Sequence, residues 1–401
     1  MTIDSDILTL CNGCGLCESV CSGVKMKCHE DGFYLPQAEC VSSDDVQFIR
    51  SVCPGMNVVS RKGGNHSIWG DVESVCNAWA SDAEIRHSSS SGGVTTALAI
   101  YLLESGKVDA VLHVGTDDTC DYRSNHLCIS RSREDVLKRN ASRYAPALVL
   151  NQIKVILDSD ASSYAFIGKP CDIAGMQNFV NAFPQYKGRI VCYLAIFCAG
   201  IPSFNATAQA ITALGHDAPV TSVRYRGDGW PGYFTVTYSD GTTRRMSYND
   251  SWGMILGKQL AFRCKICPDS IGLLADIASG DAWNTRNGYP DFTEDEGRNF
   301  CFVRTPKGEQ LMREAIQAGY IDVEQLDISK VEQMQRYQYC RRKEAGWRIA
   351  AACFLSGFKV HFRGTGWLRN AMTINPLRGL RIMMGSAKRY IRRKRHLQAV
   401  K

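Results

Sequence analysis

Apolar positions along this chain fall into two alternating rhythms, and these predict the order of elements from Ser88 onward. The stretch SSSSGGVTTALAIYLLESGKVDAVLHVGT opens as a Ser and Gly loop at Ser88. It continues as an amphipathic helix from about Gly93 to Glu104, turns at Gly106 and ends in a buried strand over DAVLHVG. The pattern repeats as a helix over YAPALVLNQIKVILDS, a strand over SYAFIGKP, a helix over CDIAGMQNFVNAF, a strand over RIVCYLAIFCAG and a helix over PSFNATAQAITALG. Strands that alternate with helices of roughly 10–15 residues predict an α/β sheet with crossovers. From Val220 to Tyr248 the rhythm becomes polar–apolar alternation with SDG as a tight turn, which predicts an antiparallel hairpin or meander. Strand and helix character returns in LADIASGDAWN and NFCFVRTPKGEQLMREAIQAGYI.

Composition narrows the setting. A chain of 401 residues has room for two or three domains, and its 45% hydrophobic and 22% charged residues are those of a soluble globular protein. No apolar run approaches the roughly 20 residues of a spanning helix, and MTIDSDILTL lacks the features of an export signal. The expected location is the cytoplasm. In that reducing compartment 18 cysteines are not a disulfide framework. The net charge of +7 hides an asymmetry: from Ala345 onward there are 13 Lys and Arg and no Asp or Glu, which leaves the first 344 residues at −6. Within this tail, Leu377, Leu380, Met384, Ala387 and Ile391 stand at helical spacing with Arg and Lys expected on the opposite side. Such a helix either docks on the main domain with a solvated basic face, or lies peripherally on an anionic membrane surface or an acidic partner. No motif that reads nucleic acid accompanies it, and none is expected as a partner.

The cysteines are distributed unevenly. Cys76, Cys120, Cys128, Cys192, Cys301, Cys340 and Cys353 stand alone and read as small buried hydrophobes. The opening CNGCGLCESVC, Cys11 to Cys21, carries the C-x2-C-x2-C-x3-C spacing of bacterial ferredoxins, in which short spacers wrap one loop around an iron–sulfur cluster. The Cys-Pro pair that normally ends such a motif falls at Cys53-Pro54, whereas Cys21 is followed by Ser22. Cys11, Cys14, Cys17 and Cys53 are therefore the expected ligands of one 4Fe-4S cluster, with Cys21 as the alternative ligand. Cys28 and Cys40 belong to no C-x2-C arrangement, so a second cluster is not expected in this module. Four thiols would equally satisfy zinc, but zinc sites use separated C-x2-C pairs rather than three cysteines in series.

Two further patterns occupy the middle of the chain. Ser89, Ser90, Ser91, Gly92 and Gly93 stand at a helix start, where free amides, Ser hydroxyls and close backbone approach suit a phosphate; the alternative is a simple N-cap loop. Cys171 and Cys198 follow predicted strands, and Cys264 and Cys267 form RCKICPD. Ligand sites of open α/β sheets lie at the carboxyl ends of strands, so these four either close a thiolate cage or remain two buried cysteines beside an independent pair. His87, His113 and His126 read as ordinary surface or packing residues, and no proton donor is assigned.

CNGCGLC, SSGGVTTALAIYLLESGKVDAVLHVG, SRYAPALVL, FIGKPCDIAGMQ, IFCAGIPS, RGDGWPGYFTV and FRCKICPDSIGLLADIASGDAW, in this order over about residues 8 to 320, resemble the beta subunit family of coenzyme F420 hydrogenases and dehydrogenases. The family that the chain resembles also includes 7-hydroxymethyl chlorophyll a reductase. The resemblance implies a flavoprotein that carries FAD and iron–sulfur centres. It places a second 4Fe-4S cluster on Cys171, Cys198, Cys264 and Cys267, lets the Ser89–Gly93 loop cradle part of FAD, and sets Arg143, Tyr144, Asp281 and Trp283 near the flavin. The basic tail has no counterpart in the resemblance.

The expected architecture is thus α+β and α/β. A small ferredoxin-like iron–sulfur module spans 1–60, a larger mixed α/β flavin-binding domain spans 70–335, and a basic helical C-terminal tail spans 345–401. The expected function is an iron–sulfur flavoprotein oxidoreductase that takes electrons from ferredoxin or a similar one-electron carrier, through two 4Fe-4S clusters and FAD, to a small organic substrate. The alternative is an electron-transfer beta subunit of a hydrogenase or dehydrogenase complex using coenzyme F420 or ferredoxin; a zinc-binding interaction module is the third reading.

Overall fold

Eight strands form the central sheet of the computed structural model, which describes residues 3–60, 68–116, 125–357 and 359–399. Cys120 and residues 61–67, which fall between the first two expected units, lie outside the described residues. Four strands run parallel at the centre: Ala110–Gly115, Tyr164–Gly168, Ile190–Ile196 and Ile277–Asp281, in that spatial order. His126–Ser130 closes one side antiparallel. Asn299–Val303, Ser74–Ala80 and Ile321–Gln325 extend the other, also antiparallel. Successive side chains of a strand face opposite ways, so each central strand feeds two cores. Ala110, Leu112, Tyr164 and Phe166 enter one apolar cluster, while Val111 and Ala165 enter the other. The helix Val94–Glu104, apolar on nearly every side, is buried over the second; Pro170–Ala182 covers the first with Ile173, Met176 and Phe179.

The expected helix over Tyr144–Ser159 is helical only at Ile153–Ser159. The residues before it are drawn into other partnerships: Leu148 N–H donates to Asn125 O at 3.4 Å and Leu150 N–H to Cys14 O at 2.7 Å. The expected meander is present, with Tyr233–Tyr238 between Val220–Arg224 and Thr243–Ser247.

The amino-terminal residues form short helices Ser5–Leu10 and Leu16–Val20, an antiparallel hairpin of Val24–Cys28 with Tyr34–Ala38, and a helix Ser43–Val52 started by a Ser42/Asp45 capping box. One apolar cluster continues from Ile7 and Leu10 through Phe166 and Ile173 to Ile349 and Tyr390. The tail also interlocks with this region, because His361–Arg363 pairs in parallel with Asn57–Val59. The helices Arg336–Ser356 and Pro376–Ala399 pack closely at Gly379, where a Cβ would meet the Trp347 ring at 2.3 Å. The tail helix departs from the expected arrangement. Gly379, Ser386 and Tyr390 face inward, whereas Leu377, Leu380, Met384 and Ile391 lie on the solvent half together with most of the cations. Among the described residues no helix is long and apolar enough to cross a membrane.

Candidate redox site

Cys11, Cys14, Cys17 and Cys53 line one small cavity, with Ile7, Leu16, Ile49 and Val52 as its apolar walls. The loop can wrap it because Gly15 adopts φ 81, and a Cβ there would strike Asn151 at 2.6 Å. Cys53 arrives from the far end of Ser43–Val52 as its C-cap. The thiols face one another closely enough to perturb each other. Burial first, then the neighbouring Cys53 thiol, raises Cys11 to about 12, and Cys14 and Cys17 are raised for the same kinds of reason. Cys21 lies outside this lining and engages the Asp45 side chain instead.

Cys171, Cys198, Cys264 and Cys267 line a second small cavity. Cys198 leaves the strand Ile190–Ile196, Cys171 opens Pro170–Ala182, and Cys264 sits in the short helix Phe262–Lys265. Two buried arginines hold these loops in place. Arg341 donates to Cys198 O at 3.2 Å, Ala199 O at 2.8 Å and Cys264 O, and Arg342 donates to Pro268 O and to Thr365 O at 2.8 Å. Burial raises Cys198 to about 12, with Cys264 adding to the rise and Arg341 opposing it.

The chemistry of both donor sets fits an iron–sulfur cluster better than zinc. Tetrahedral zinc with bonds of about 2.3 Å needs its sulfurs roughly 3.8 Å apart. Among the described residues no three cysteine sulfurs come within 4.8 Å of one another, and a cavity separates each set. Every cysteine in both sets is a free thiol. Four crowded thiols, half-buried or buried, cannot all ionise beside one another without a cationic core between them.

The two cages are joined. Asn12, 7% exposed, lines both cavities, and its Nδ2 has no hydrogen-bond partner. Arg263, the residue before Cys264, donates to Gly55 O at 2.7 Å and Pro54 O at 3.2 Å, beside Cys53. The second cage in turn shares Cys198 and Ile201 with a third and larger cavity of about 270 Å³. This one opens at the carboxyl ends of the parallel strands, where Gly168, Ile196 and Asp281 line it, the usual position of a ligand site in such sheets. Its walls carry Tyr144, Tyr248, Trp252 and Trp283 together with Arg139, Arg143 and Lys169. Asp281 accepts a bidentate pair from buried Arg226 at 2.6 and 2.9 Å and a bond from Trp230 Nε1 at 2.9 Å. Arg226 also lies 4.9 Å from the ring centres of Tyr248 and Trp283. Arg143 is fixed by Asn125 Oδ1 at 2.6 Å and Val223 O at 2.9 Å, and burial lowers it from its ordinary value. Lys169 Nζ donates to both Asp172 oxygens at 2.7 Å; burial alone would depress it, but the Asp172 carboxylate together with the neighbouring Cys171 and Cys198 more than offsets this and holds it protonated.

Two family models match the chain: coenzyme F420 hydrogenase/dehydrogenase beta subunit N-term over residues 75–154, and the corresponding C terminus over residues 161–329. The chain belongs to this beta subunit family. It is 25% identical over 270 residues to a coenzyme F420 hydrogenase subunit beta of Methanococcus voltae, covering 65% of this chain and 88% of that one. It is 29% identical over 245 residues to the F420-dependent formate dehydrogenase 1 subunit beta of Methanococcus maripaludis, covering 60% of this chain and 59% of that one. A chain of the F420-reducing [NiFe] hydrogenase complex of Methanosarcina barkeri shares the fold, with a TM-score of 0.56 at 18% identity over 75% of this chain and 98% of that one. The Methanococcus relatives are named as oxidoreductase subunits, and the basic tail lies beyond both family models.

Within the family region the residues singled out from the sequence divide. Arg143, Tyr144, Asp281 and Trp283 line the large cavity together. Ser89–Gly93 do not. Ser90 and Ser91 are used by the protein itself: Ser90 Oγ accepts from Ser142 N–H at 2.7 Å and donates to Arg226 O at 3.2 Å, and Ser91 Oγ accepts from Asn299 at 3.0 Å, whereas Ser89 Oγ is buried without a partner. Thr95 and Thr96, one turn on, reach the cavity instead. His113 also lines it, buried and bonded to Ser130 Oγ at 2.7 Å. Asn12, Lys169, Asp172, Arg263 and Arg341 were not singled out from the sequence, although GKPCD and FRC each set charge beside a cage cysteine. Arg341 and Arg342 fall in the interval 336–344 that the expected boundaries gave to no unit.

Proposed function

We propose that this chain is an iron–sulfur electron-transfer oxidoreductase of the beta subunit type, working in the cytoplasm. Cys11, Cys14, Cys17 and Cys53 would hold one 4Fe-4S cluster and Cys171, Cys198, Cys264 and Cys267 a second, while the cavity at the strand ends would take FAD and the two-electron partner. The observation that carries this reading is continuity: Asn12 borders both cages, and Cys198 borders both the inner cage and the large cavity. Thiolate-bound clusters exchange single electrons, and a flavin combines them into hydride chemistry. The chain's own residues exclude water from the cages, fix their loops through Arg263 and Arg341, and aim cations and aromatic faces into the cavity. Arg139, whose Nε is buried without a partner, and Arg143 suit an anionic group there; Tyr144, Tyr248 and Trp283 suit a planar ring.

The names of the relatives favour an electron-transfer subunit that works beside a partner, with ferredoxin, a similar carrier or another subunit on one side and coenzyme F420 on the other. The large cavity favours a second reading, in which the chain itself reduces a small organic substrate. Turnover by the purified chain with a chemical reductant alone selects the second reading, and turnover only with a partner selects the first. Both require the same composition. Anaerobic purification followed by iron, sulfide and flavin quantification, with electron paramagnetic resonance, is expected to give about eight irons and one FAD per chain. Cys198→Ser is expected to leave about four. A colourless, zinc-containing protein would refute the proposal.

A further inference from the structure

The tail carries an outer face that the redox chemistry does not use. On Pro376–Ala399 the exposed side chains Leu377 (71%), Leu380 (52%), Met384 (63%) and Ile391 (42%) recur every three, four and seven residues, which puts them on one side of the helix. Phe354 (87%) at the end of Arg336–Ser356 and Met372 (78%) after Trp367–Ala371 are exposed on the two helices that form this region with it. Along the same outer half stand Arg381, Lys388, Arg389, Arg392 and Arg395, all exposed and with no ion pair among the described residues. No acidic residue occurs from Ala345 to the end of the chain.

We infer that this outer face of the tail is a docking surface for an anionic lipid bilayer, with the helix lying along the interface rather than crossing it. Apolar side chains and lysines or arginines on one exposed half of a helix are what an acidic membrane surface binds. The apolar groups enter the acyl boundary and the long cationic stems reach the headgroups. A second copy of the chain is a poor occupant, because two such faces would bring cation against cation. Nucleic acid would reward the charge but leave Phe354, Met372, Leu377 and Met384 in water. Gly379, Ser386 and Tyr390, which anchor the helix to the body, face the other way, so docking needs no unfolding. The inference concerns the tail alone and is independent of which redox partner is used.

The test is co-sedimentation of the cofactor-loaded full chain with vesicles of phosphatidylcholine alone or mixed roughly 3:1 with phosphatidylglycerol. Expected is binding to the mixed vesicles at least about tenfold tighter than to the neutral ones, weakening as salt rises. Leu377→Glu/Leu380→Glu/Met384→Glu and, separately, Arg381→Gln/Lys388→Gln/Arg392→Gln/Arg395→Gln should each reduce it by about tenfold or more, with near-ultraviolet circular dichroism unchanged. Absence of binding to the mixed vesicles at low salt overturns the inference. So does binding that the glutamate variant retains, and so does a vesicle-free dimer that the same variant abolishes.

Discussion

Asn12 occupies a position where a side-chain amide has no ordinary reason to be: buried between two thiol cages with its Nδ2 unpartnered. An unmade bond of this kind costs roughly 1–3 kcal/mol, so the group earns its place only if sulfur on one side accepts from it. A donor to cluster sulfur favours the reduced, more negative state. Asn12→Leu should therefore leave both proposed clusters assembled but lower the midpoint potential of at least one by roughly 50 mV, the one-electron equivalent of about 1 kcal/mol. A redox titration followed by electron paramagnetic resonance measures it. Unchanged midpoints in a protein with full iron content would dismiss Asn12 without touching the clusters. No periodicity marks Asn12, whereas the cysteines around it were legible because thiol spacing is itself the signal.

At the scale of elements, the helix Arg336–Ser356 joins parts that look separate along the chain. Its amino-terminal half sends Arg341 and Arg342 into the loops of the inner cage, and its other half supports the tail helix through Trp347. The contact at Gly379 leaves no room for a side chain. Gly→Ala in an exposed helix would normally stabilise by about 1 kcal/mol, but here the added carbon meets a tryptophan ring. Gly379→Val is expected to loosen the tail by about 1–3 kcal/mol, read as faster tryptic cleavage within 376–399 while the rest of the chain stays resistant. Equal cleavage rates would show that the helices are held elsewhere. The strands and most helices followed apolar rhythm closely, since sheet and helix periods differ. The segment before Ile153 did not, because its backbone groups are claimed by Asn125 and Cys14 from distant parts of the chain.

The whole molecule ties its stability to groups buried near the site. Burial, aided by Arg139, lowers His113 from 6.5 to about 4. Between these two values the unfolded chain binds a proton that the folded chain refuses, so stability rises with pH across the window and falls on acidification. The full effect is about 3 kcal/mol. The thermal midpoint of the wild type should drop more between pH 7 and pH 5 than that of His113→Gln; parallel drops would assign the acid sensitivity to other groups. By itself the sequence determined the order of strands and helices, the thiol spacing of the first cage and the charge of the tail, because each depends on neighbours within a few turns of chain. Only the tertiary structure decided that the two cysteine sets share a wall, that the inner one borders the large cavity, and that the tail turns its apolar residues outward. Those facts depend on which distant segments meet, and meeting is settled by packing across the sheet and against the helices.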